Sequence, residues 1–401
     1  MNRIVIVGAG QAAASMAAKL RALGHDGQIT LVGDEPVAPY QRPPLSKAYL
    51  LGEMGVERLT LRSEDWWTEQ GVELRLGTAV TDIDTAAQRV TLSDGATLDY
   101  AELAFCTGAT PRRLPAAIGG DLGNVFTVRS LADVDAMRPL FAPGKRLLVV
   151  GGGYIGLEAA AVARKLGLEV TLIEAAPRIL GRVACAETAA AIRDLHRRQG
   201  VEILEGIGLS RLTGEDSVTG ALLEDGRTLP ADFVIIGIGV TPEDEIARAA
   251  GIHCENGIAT DAQGRTSAAH VWAAGDCASF PGPGADGRLR LESVGNAIDM
   301  AELVAENICG AGKDYLPKPW FWSDQFDAKL QIAGLNAGYD RIVTRNDEGE
   351  SFWYFRDGRL IAVDAINDAR AYMVGKRVIE GGKVVTPEQV ETTPELKALM
   401  K

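Results

Sequence analysis

The sequence predicts an α/β fold in which two domains built on parallel βαβ units precede a C-terminal α+β domain. Three observations carry this. The order strand, glycine-rich turn, helix, strand occurs twice, starting about 140 residues apart. Each copy is followed by an Asp-Gly hairpin signal. Past residue 316 the patterning changes and aromatic residues cluster.

The first copy opens with the apolar run Ile4–Val7, turns through Gly8–Ala13, continues as a helix to Leu23 and returns as the strand Gln28–Val32. The second copy is the strand Arg146–Val150, the turn Gly151–Gly156, a helix to Leu166 and the strand Glu169–Ile173. Such alternation implies parallel sheets with right-handed crossovers. Arg89–Leu92 and Thr97–Leu98 flank Asp94-Gly95, while Val218–Leu223 and Arg227–Leu229 flank Asp225-Gly226, so each unit carries a small antiparallel insertion. In the tail, Pro319-Trp320-Phe321-Trp322 is followed by a hairpin, Phe352–Phe355 and Leu360–Val363 about Asp357-Gly358. The expected domains are 1–115 joined with 246–316, then 116–245, then 317–401.

A chain of 401 residues is too long for one comfortable core. Its formal charge of −13 argues against a nucleic-acid binder, whose affinity rests on neutralising phosphates. No apolar run is long enough to span a bilayer, and a strand starting at Arg3 leaves no room for a signal peptide, so a cytoplasmic location is expected. Cys106, Cys185, Cys254, Cys277 and Cys309 form neither CxxC nor CxxxxC and read as reduced, buried thiols. His25, His196, His253 and His270 are scattered without ligand spacing; they read as structural, and no metal is expected.

The first turn, Gly8-Ala9-Gly10-Gln11-Ala12-Ala13, is a GxGxxA. Gly8 permits the tight turn, Gly10 lets the backbone approach a pyrophosphate, and Ala13 keeps helix and strand close. Asp34, just past the second strand, is placed to accept ribose hydroxyl hydrogens. The second turn, Gly151-Gly152-Gly153-Tyr154-Ile155-Gly156, is a full GxGxxG, and its second strand runs into Glu174. An acid there favours a free 2′-hydroxyl and repels a 2′-phosphate, which favours NADH over NADPH. Both are Rossmann-like dinucleotide-binding fingerprints, and two dinucleotides in one chain point to FAD paired with a nicotinamide.

With these turns, four further stretches resemble one family: Pro39-Tyr40-Gln41-Arg42-Pro43-Pro44-Leu45-Ser46-Lys47, Thr107-Gly108-Ala109, Ala274-Gly275-Asp276 and Pro319–Gln325. The chain resembles the glutathione-reductase-like FAD/NAD(P) superfamily and, within it, the NADH-dependent ferredoxin reductases of oxygenase systems. The resemblance implies hydride transfer from NADH to FAD N5, then single electrons to a 2Fe-2S ferredoxin feeding a P-450 monooxygenase or a Rieske dioxygenase. It places Lys47 near N5, paired with Glu158, and Arg42 with Arg129 at the FAD phosphates. It gives Asp276 the ribityl chain at a helix N-terminus, and Val80 and Val294 backbone contacts to adenine and flavin. Gly237 and Gly239 fall on the nicotinamide side, and Trp320 or Trp322 packs by the flavin or simply in the core. Ala12-Ala13-Ala14 and Met300 depart from the family's usual residues.

Disulfide reductases and NADH oxidases of this fold need cysteines that are absent here, at Leu45-Ser46 for the oxidases. A rubredoxin reductase and an NADH-responsive interaction protein of the apoptosis-inducing-factor kind stay open. Lys313, Lys318, Lys329, Arg341 and Arg345 are candidates for a patch that docks an acidic ferredoxin, against an ordinary solvated face. A monomer or weak homodimer is expected.

Overall fold

The computed structural model describes residues 2–282 and 287–401. The chain forms two compact units, Met1–Gln41 with Val56–Thr110 and Thr241–Pro319, and Arg42–Gly55 with Pro111–Val240 and Trp320–Lys401.

In the first unit, five parallel strands lie in the order Val271–Ala273, Glu102–Phe105, Ile4–Val7, Ile29–Val32, Val72–Arg75. The central strands Ile4–Val7 and Ile29–Val32 are buried throughout, as strands covered on both faces must be, and their sequences IVIV and ITLV supply the apolar run. The edge strand Val72–Arg75 carries Glu73 and Arg75 instead, which suits an edge. Helix Gln11–Ala22 packs along helix Val294–Ile308, where Lys19 reaches Glu302 and Glu306 at 3.4 and 2.8 Å. The expected insertion is a three-stranded antiparallel sheet, Val80–Asp84, Arg89–Leu92 and Thr97–Asp99.

The second unit repeats the plan. Its parallel sheet runs Val201–Glu205, Glu169–Glu174, Arg146–Val150, Phe233–Ile236, Val125–Phe126, with a three-stranded insertion of Leu209–Gly214, Val218–Leu223 and Thr228–Pro230. The tail forms a five-stranded antiparallel sheet: Trp320–Gln325, Ala328–Gly334, Arg359–Ile366, Glu350–Arg356, Arg341–Asn346. Two Rossmann-like domains and a C-terminal α+β domain are therefore what the chain folds into. Among the described residues no helix is long and apolar enough to cross a membrane.

The tail sheet is buried on both faces, which explains the uninterrupted apolar run of Phe352–Phe355. Trp353, Phe355 and Val363 pack with Val374 and Val378 of helix Ala369–Glu380. Phe352, Tyr354 and Ala362 pack with Cys185 and Ala191, at the start of helix Ala186–Arg198. On that second face a carboxylate is buried: Asp364 accepts hydrogen bonds from the Tyr354 hydroxyl and, at 2.9 Å, from Thr188 Oγ1. Its Oδ1 has no partner among the described residues. Burial pushes the Asp364 carboxyl up to about 7 against those two bonds.

A carboxyl raised in the folded state binds its proton more tightly there than when unfolded. Its contribution to stability is therefore full below about pH 4 and falls as pH rises toward about 7. Asp364→Asn removes that dependence. Denaturant titrations should show the variant gaining on the parent by about 1.4 kcal/mol per pH unit between roughly pH 5 and 7. A pH-independent difference would show that Asp364 is ionised in the fold throughout.

Candidate active site

The two glycine turns separate residues the fold requires from residues it does not. Gly8 has φ +109°, and a Cβ there would lie 2.2 Å from the Cys106 carbonyl oxygen. Gly151 repeats this, with φ +107° and 2.3 Å to the Gly237 carbonyl oxygen. A Cβ on Gly156 would come within 2.4 Å of the Gly151 carbonyl oxygen, so the helix crosses the strand closely there. Gly10 and Gly153 differ. Both have negative φ, and a Cβ would meet nothing within 4 Å at Gly10 and only the Gly237 oxygen, at 3.9 Å, at Gly153. Neither packing nor backbone conformation demands glycine at these positions, so the space they leave fits something that approaches the backbone closely.

The helices that follow support this. Gln11–Ala22 and Tyr154–Lys165 have no side-chain cap and no acid in the first turn. Ala186–Arg198, Val294–Ile308 and Ala369–Glu380 are capped by Cys185, Ser293 and Asp368. Open N–H groups and the helix dipole are thus left for an anion at the two glycine turns. Ala12 and Ala13 are buried, and Ala12 lies against Gly275; Ile155 is exposed.

Glu174 ends strand Glu169–Glu174, its carboxylate accepting the N–H groups of Gly152 and Ala176, both at 2.7 Å. The first unit does not repeat that placement. Gly8 N–H binds the Val32 carbonyl as Gly151 N–H binds that of Ile173, which makes Gly33 the counterpart of Glu174. A Cβ on Gly33 would lie 2.5 Å from that of Ala9, so no acid fits there. Asp34, one residue on, is exposed, and Glu35 accepts the Tyr40 hydroxyl at 2.7 Å. Glu35, next to Asp34 in the run Val32-Gly33-Asp34-Glu35, is a second candidate for the same carboxylate.

Lys47 and Glu158 meet in the second unit. Arg42 Nη1 donates to the Arg129 carbonyl at 2.8 Å, and the 3₁₀ turn Pro43–Ser46 follows. Tyr49 Oη donates to Asp135 at 2.8 Å and Arg138 lies 4.3 Å over the Tyr49 ring, fixing the far side of Lys47. Lys47 Nζ then stands 3.0 Å from Glu158 Oε1 and 3.5 Å from Asp324 Oδ2. Ser46 Oγ donates to Glu158 Oε2 and Ser323 Oγ to Oε1, both at 2.7 Å. Burial pushes the Glu158 carboxyl up, while Lys47 and the two serines pull it back. Trp322, not Trp320, lies beside Lys47, 5.6 Å from Nζ; Trp320 stacks on Trp322 at 5.4 Å and carries Lys376 on its other side. The roles of Ser46 and Ser323 at Glu158, and of His196 at Gln325, are not legible in the sequence, because those bonds join segments far apart in the chain.

The remaining expected residues are dispersed. Val80 begins a strand of the first insertion, Val294 begins helix Val294–Ile308, and Arg129 precedes the capping residue Ser130. Gly239 has φ +98° and accepts Arg112 N–H; Gly237 lies close to Gly156. Asp276 lies in the turn between strands Val271–Ala273 and Ala278–Pro281, so no helix starts at it in the chain, but its neighbour Gly275 packs against Ala297 in the first turn of helix Val294–Ile308. Of the expected basic patch, Lys313 is paired with Glu306, Arg341 with Glu388 and Glu391, and Arg345 with Asp347, while Lys318 and Lys329 are exposed. Of the cysteines, Cys106, Cys185 and Cys277 are buried, but Cys309 is exposed.

Residues 2–301 match the family described as pyridine nucleotide-disulphide oxidoreductase, and residues 320–400 the one described as reductase C-terminal. A ferredoxin–NAD(P)(+) reductase of Sphingomonas sp. is 43% identical over 403 residues, spanning 99% of this chain and 97% of that protein. Putidaredoxin reductase of Pseudomonas putida is 42% identical over 394 residues, 96% of this chain and 93% of the relative. The structure is similar to putidaredoxin reductase in its covalent complex with putidaredoxin, with TM-score 0.96 at 41% identity, covering 100% of this chain and 98% of that one. It is also similar to the ferredoxin reductase for the CYP199A2 system of Rhodopseudomonas palustris, with TM-score 0.95 at 39% identity and 99% coverage of both.

The glycines divide into a testable pair of classes. Gly8→Ala and Gly151→Ala should destabilise the protein by about 2 kcal/mol or more through clash and positive φ, whereas Gly10→Ala and Gly153→Ala should stay within about 1 kcal/mol of the parent. Denaturant unfolding of the protein freed of nucleotide measures both; equal losses in all four would show that Gly10 and Gly153 also serve the fold.

Proposed function

The chain belongs to the pyridine nucleotide-disulphide oxidoreductase family, and on that premise we propose that it is an FAD-dependent NADH:ferredoxin reductase serving an oxygenase. The observation that carries this is end-to-end likeness, 43% identity across 99% of the chain, to a ferredoxin–NAD(P)(+) reductase. The chain is a flavin- and nicotinamide-nucleotide-dependent oxidoreductase by family. FAD as the flavin, NADH as the donor and a cytoplasmic location are the finer parts of the proposal. A 2Fe-2S ferredoxin feeding a P-450 monooxygenase or a Rieske dioxygenase is the partner it implies.

The residues fit two dinucleotides. In this reading Gly8, Gly10, Ala12 and Ala13 shape the FAD turn, and the open N–H groups of helix Gln11–Ala22 take its phosphates. Asp34 or Glu35 serves the ribose, Arg42 and Arg129 the pyrophosphate, Asp276 the ribityl chain, and Val80 and Val294 the adenine and flavin backbone contacts. Gly151, Gly153, Ile155, Gly156, Gly237 and Gly239 shape the NADH side. Glu174, already fixed by two backbone N–H groups, presents a carboxylate that accepts ribose hydroxyls and repels a 2′-phosphate. The corresponding domains are 1–115 with 246–316 for FAD, 116–245 for NADH and 317–401 at the C-terminus.

The chemistry a bound FAD supplies is acceptance of an electron pair as hydride and release of electrons one at a time. The protein's part is to hold charge in place. Lys47, fixed by Glu158, offers a positioned positive charge, which favours a reduced, anionic ring system without reorganisation. Trp322 lies beside it, with Trp320 stacked on Trp322. The position beside Lys47 that a thiol would need is Ser46, whose hydroxyl is spent on Glu158. With neither CxxC nor CxxxxC in the sequence, that supports electron delivery to an external carrier over cysteine-based chemistry.

Anaerobic mixing with NADH should bleach the flavin absorbance, and added 2Fe-2S ferredoxin should restore it with turnover. Bleaching without ferredoxin reduction, or none with NADH, sinks the reading. Glu174→Arg should narrow the NADH preference over NADPH by about tenfold or more, and unchanged selectivity would place the ribose contact elsewhere.

A further inference from the structure

Behind the Glu158 carboxylate a second polar layer leads into the protein. Gln325 Nε2 donates to Ser323 Oγ at 3.0 Å, and Gln325 Oε1 lies 2.8 Å from His196 Nε2. Ser323, Gln325 and His196 are all buried, so these bonds are shielded from bulk water. His196 Nδ1 is buried with no partner among the described residues, and the ring meets Phe326 edge-on.

Donor and acceptor capacity fixes the direction of the chain. Ser323 has one proton to give, and Glu158 Oε1 receives it only if Ser323 accepts from its other neighbour. That neighbour must then be the Gln325 amide nitrogen, which turns the amide oxygen toward His196. The oxygen needs a donor, so His196 carries its proton on Nε2 and leaves Nδ1 bare. The opposite arrangement would turn the Ser323 proton away from Glu158 and bury an unpaired N–H at Nδ1, losing twice. Burial also holds the imidazole neutral, its pKa lowered to about 4 with the Gln325 bond opposing, so the arrangement persists at neutral pH.

We propose that His196 and Gln325 are positioning residues: a one-way chain of hydrogen bonds from His196 through Gln325 and Ser323 fixes a donated hydroxyl on Glu158, which keeps that carboxylate charged beside Lys47. The charged groups at Glu158 are Lys47 and, on the far side of Lys47, Asp324; Ser46 supplies the other hydroxyl, and Tyr154 lies one turn earlier on the same helix against Phe321. The importance of the Lys47–Glu158 pair to electron transfer rests on the function proposed above; the chain of bonds does not.

Two measurements on the holoprotein test it without any electron acceptor. Nitrogen NMR of His196 should report a neutral ring with the proton on Nε2 from roughly pH 5 to 8. Infrared difference titration, with Glu158→Gln identifying the carboxyl band, should show Glu158 titrating about one pH unit higher in His196→Phe and in Gln325→Met than in the parent. His196→Gln, whose amide donates from a similar point, should return it toward the parent value. A proton on Nδ1, or titration unmoved in the variants, overturns the proposal. Should the variants not fold, the NMR result on the parent decides alone. Loss of ferredoxin reduction with these readings intact would overturn the proposed function and leave this inference standing.

Discussion

One carboxylate taken out of water organises the second unit. Glu158 is buried, and an ionised carboxylate there costs several kcal/mol of desolvation unless paired and hydrogen-bonded. Three separate stretches answer that demand: the segment around Lys47 and Ser46, the helix carrying Glu158 itself, and the aromatic strand bearing Ser323. None of the three can shift without stranding a charge. The anchoring of the Lys47 segment through Tyr49 and Arg138 follows from the same need, since an ion pair in low dielectric is worth having only in a fixed geometry.

A different constraint shapes the two glycine turns. Side-chain capping of a helix is worth about 1 kcal/mol, and the other three long helices among the described residues use it. The helices at the glycine turns forgo it, and each begins with a glycine whose place the fold leaves open. Among the long helices of the described residues, these two alone leave their first backbone N–H groups uncapped. Gly8 and Gly151 belong to another logic, since they let strand and turn pass within contact of a neighbouring carbonyl.

Local pattern made the βαβ units legible. Runs such as Ile4–Val7 and Leu147-Leu148-Val149-Val150 are apolar because both faces are covered, and glycine marks the turn that follows. What escaped was long-range. The Lys47–Glu158 pair came only from resemblance, because no spacing rule links a loop residue to a helix residue over such a separation. Arg341 looked available for docking because sequence does not reveal Glu388 and Glu391 folding back onto it. His196 is structural, as its scattered place in the sequence suggests, but its partner on a distant strand is not legible there. The ribose acid expected at Asp34 stands one residue further along than Glu174 does, because the close approach of Gly33 to Ala9 leaves no room for a side chain at the matching position.

The aromatic strand Trp320–Gln325 joins these parts through its period of two. Successive side chains of a strand point to opposite faces, so Phe321, Ser323 and Gln325 share one face and Trp320, Trp322 and Asp324 the other. The first set meets Tyr154, Glu158 and His196. The second meets Lys47 and Lys376, with the two tryptophans stacked between the cations. Each face of the strand therefore holds one end of the ion pair: Ser323 the carboxylate, Trp322 and Asp324 the ammonium. A slip of one residue against strand Ala328–Gly334 would exchange the faces, putting a tryptophan at the carboxylate and a hydroxyl at the lysine. The register of a single edge strand is thus what keeps Glu158 and Lys47 both solvated by protein and facing each other.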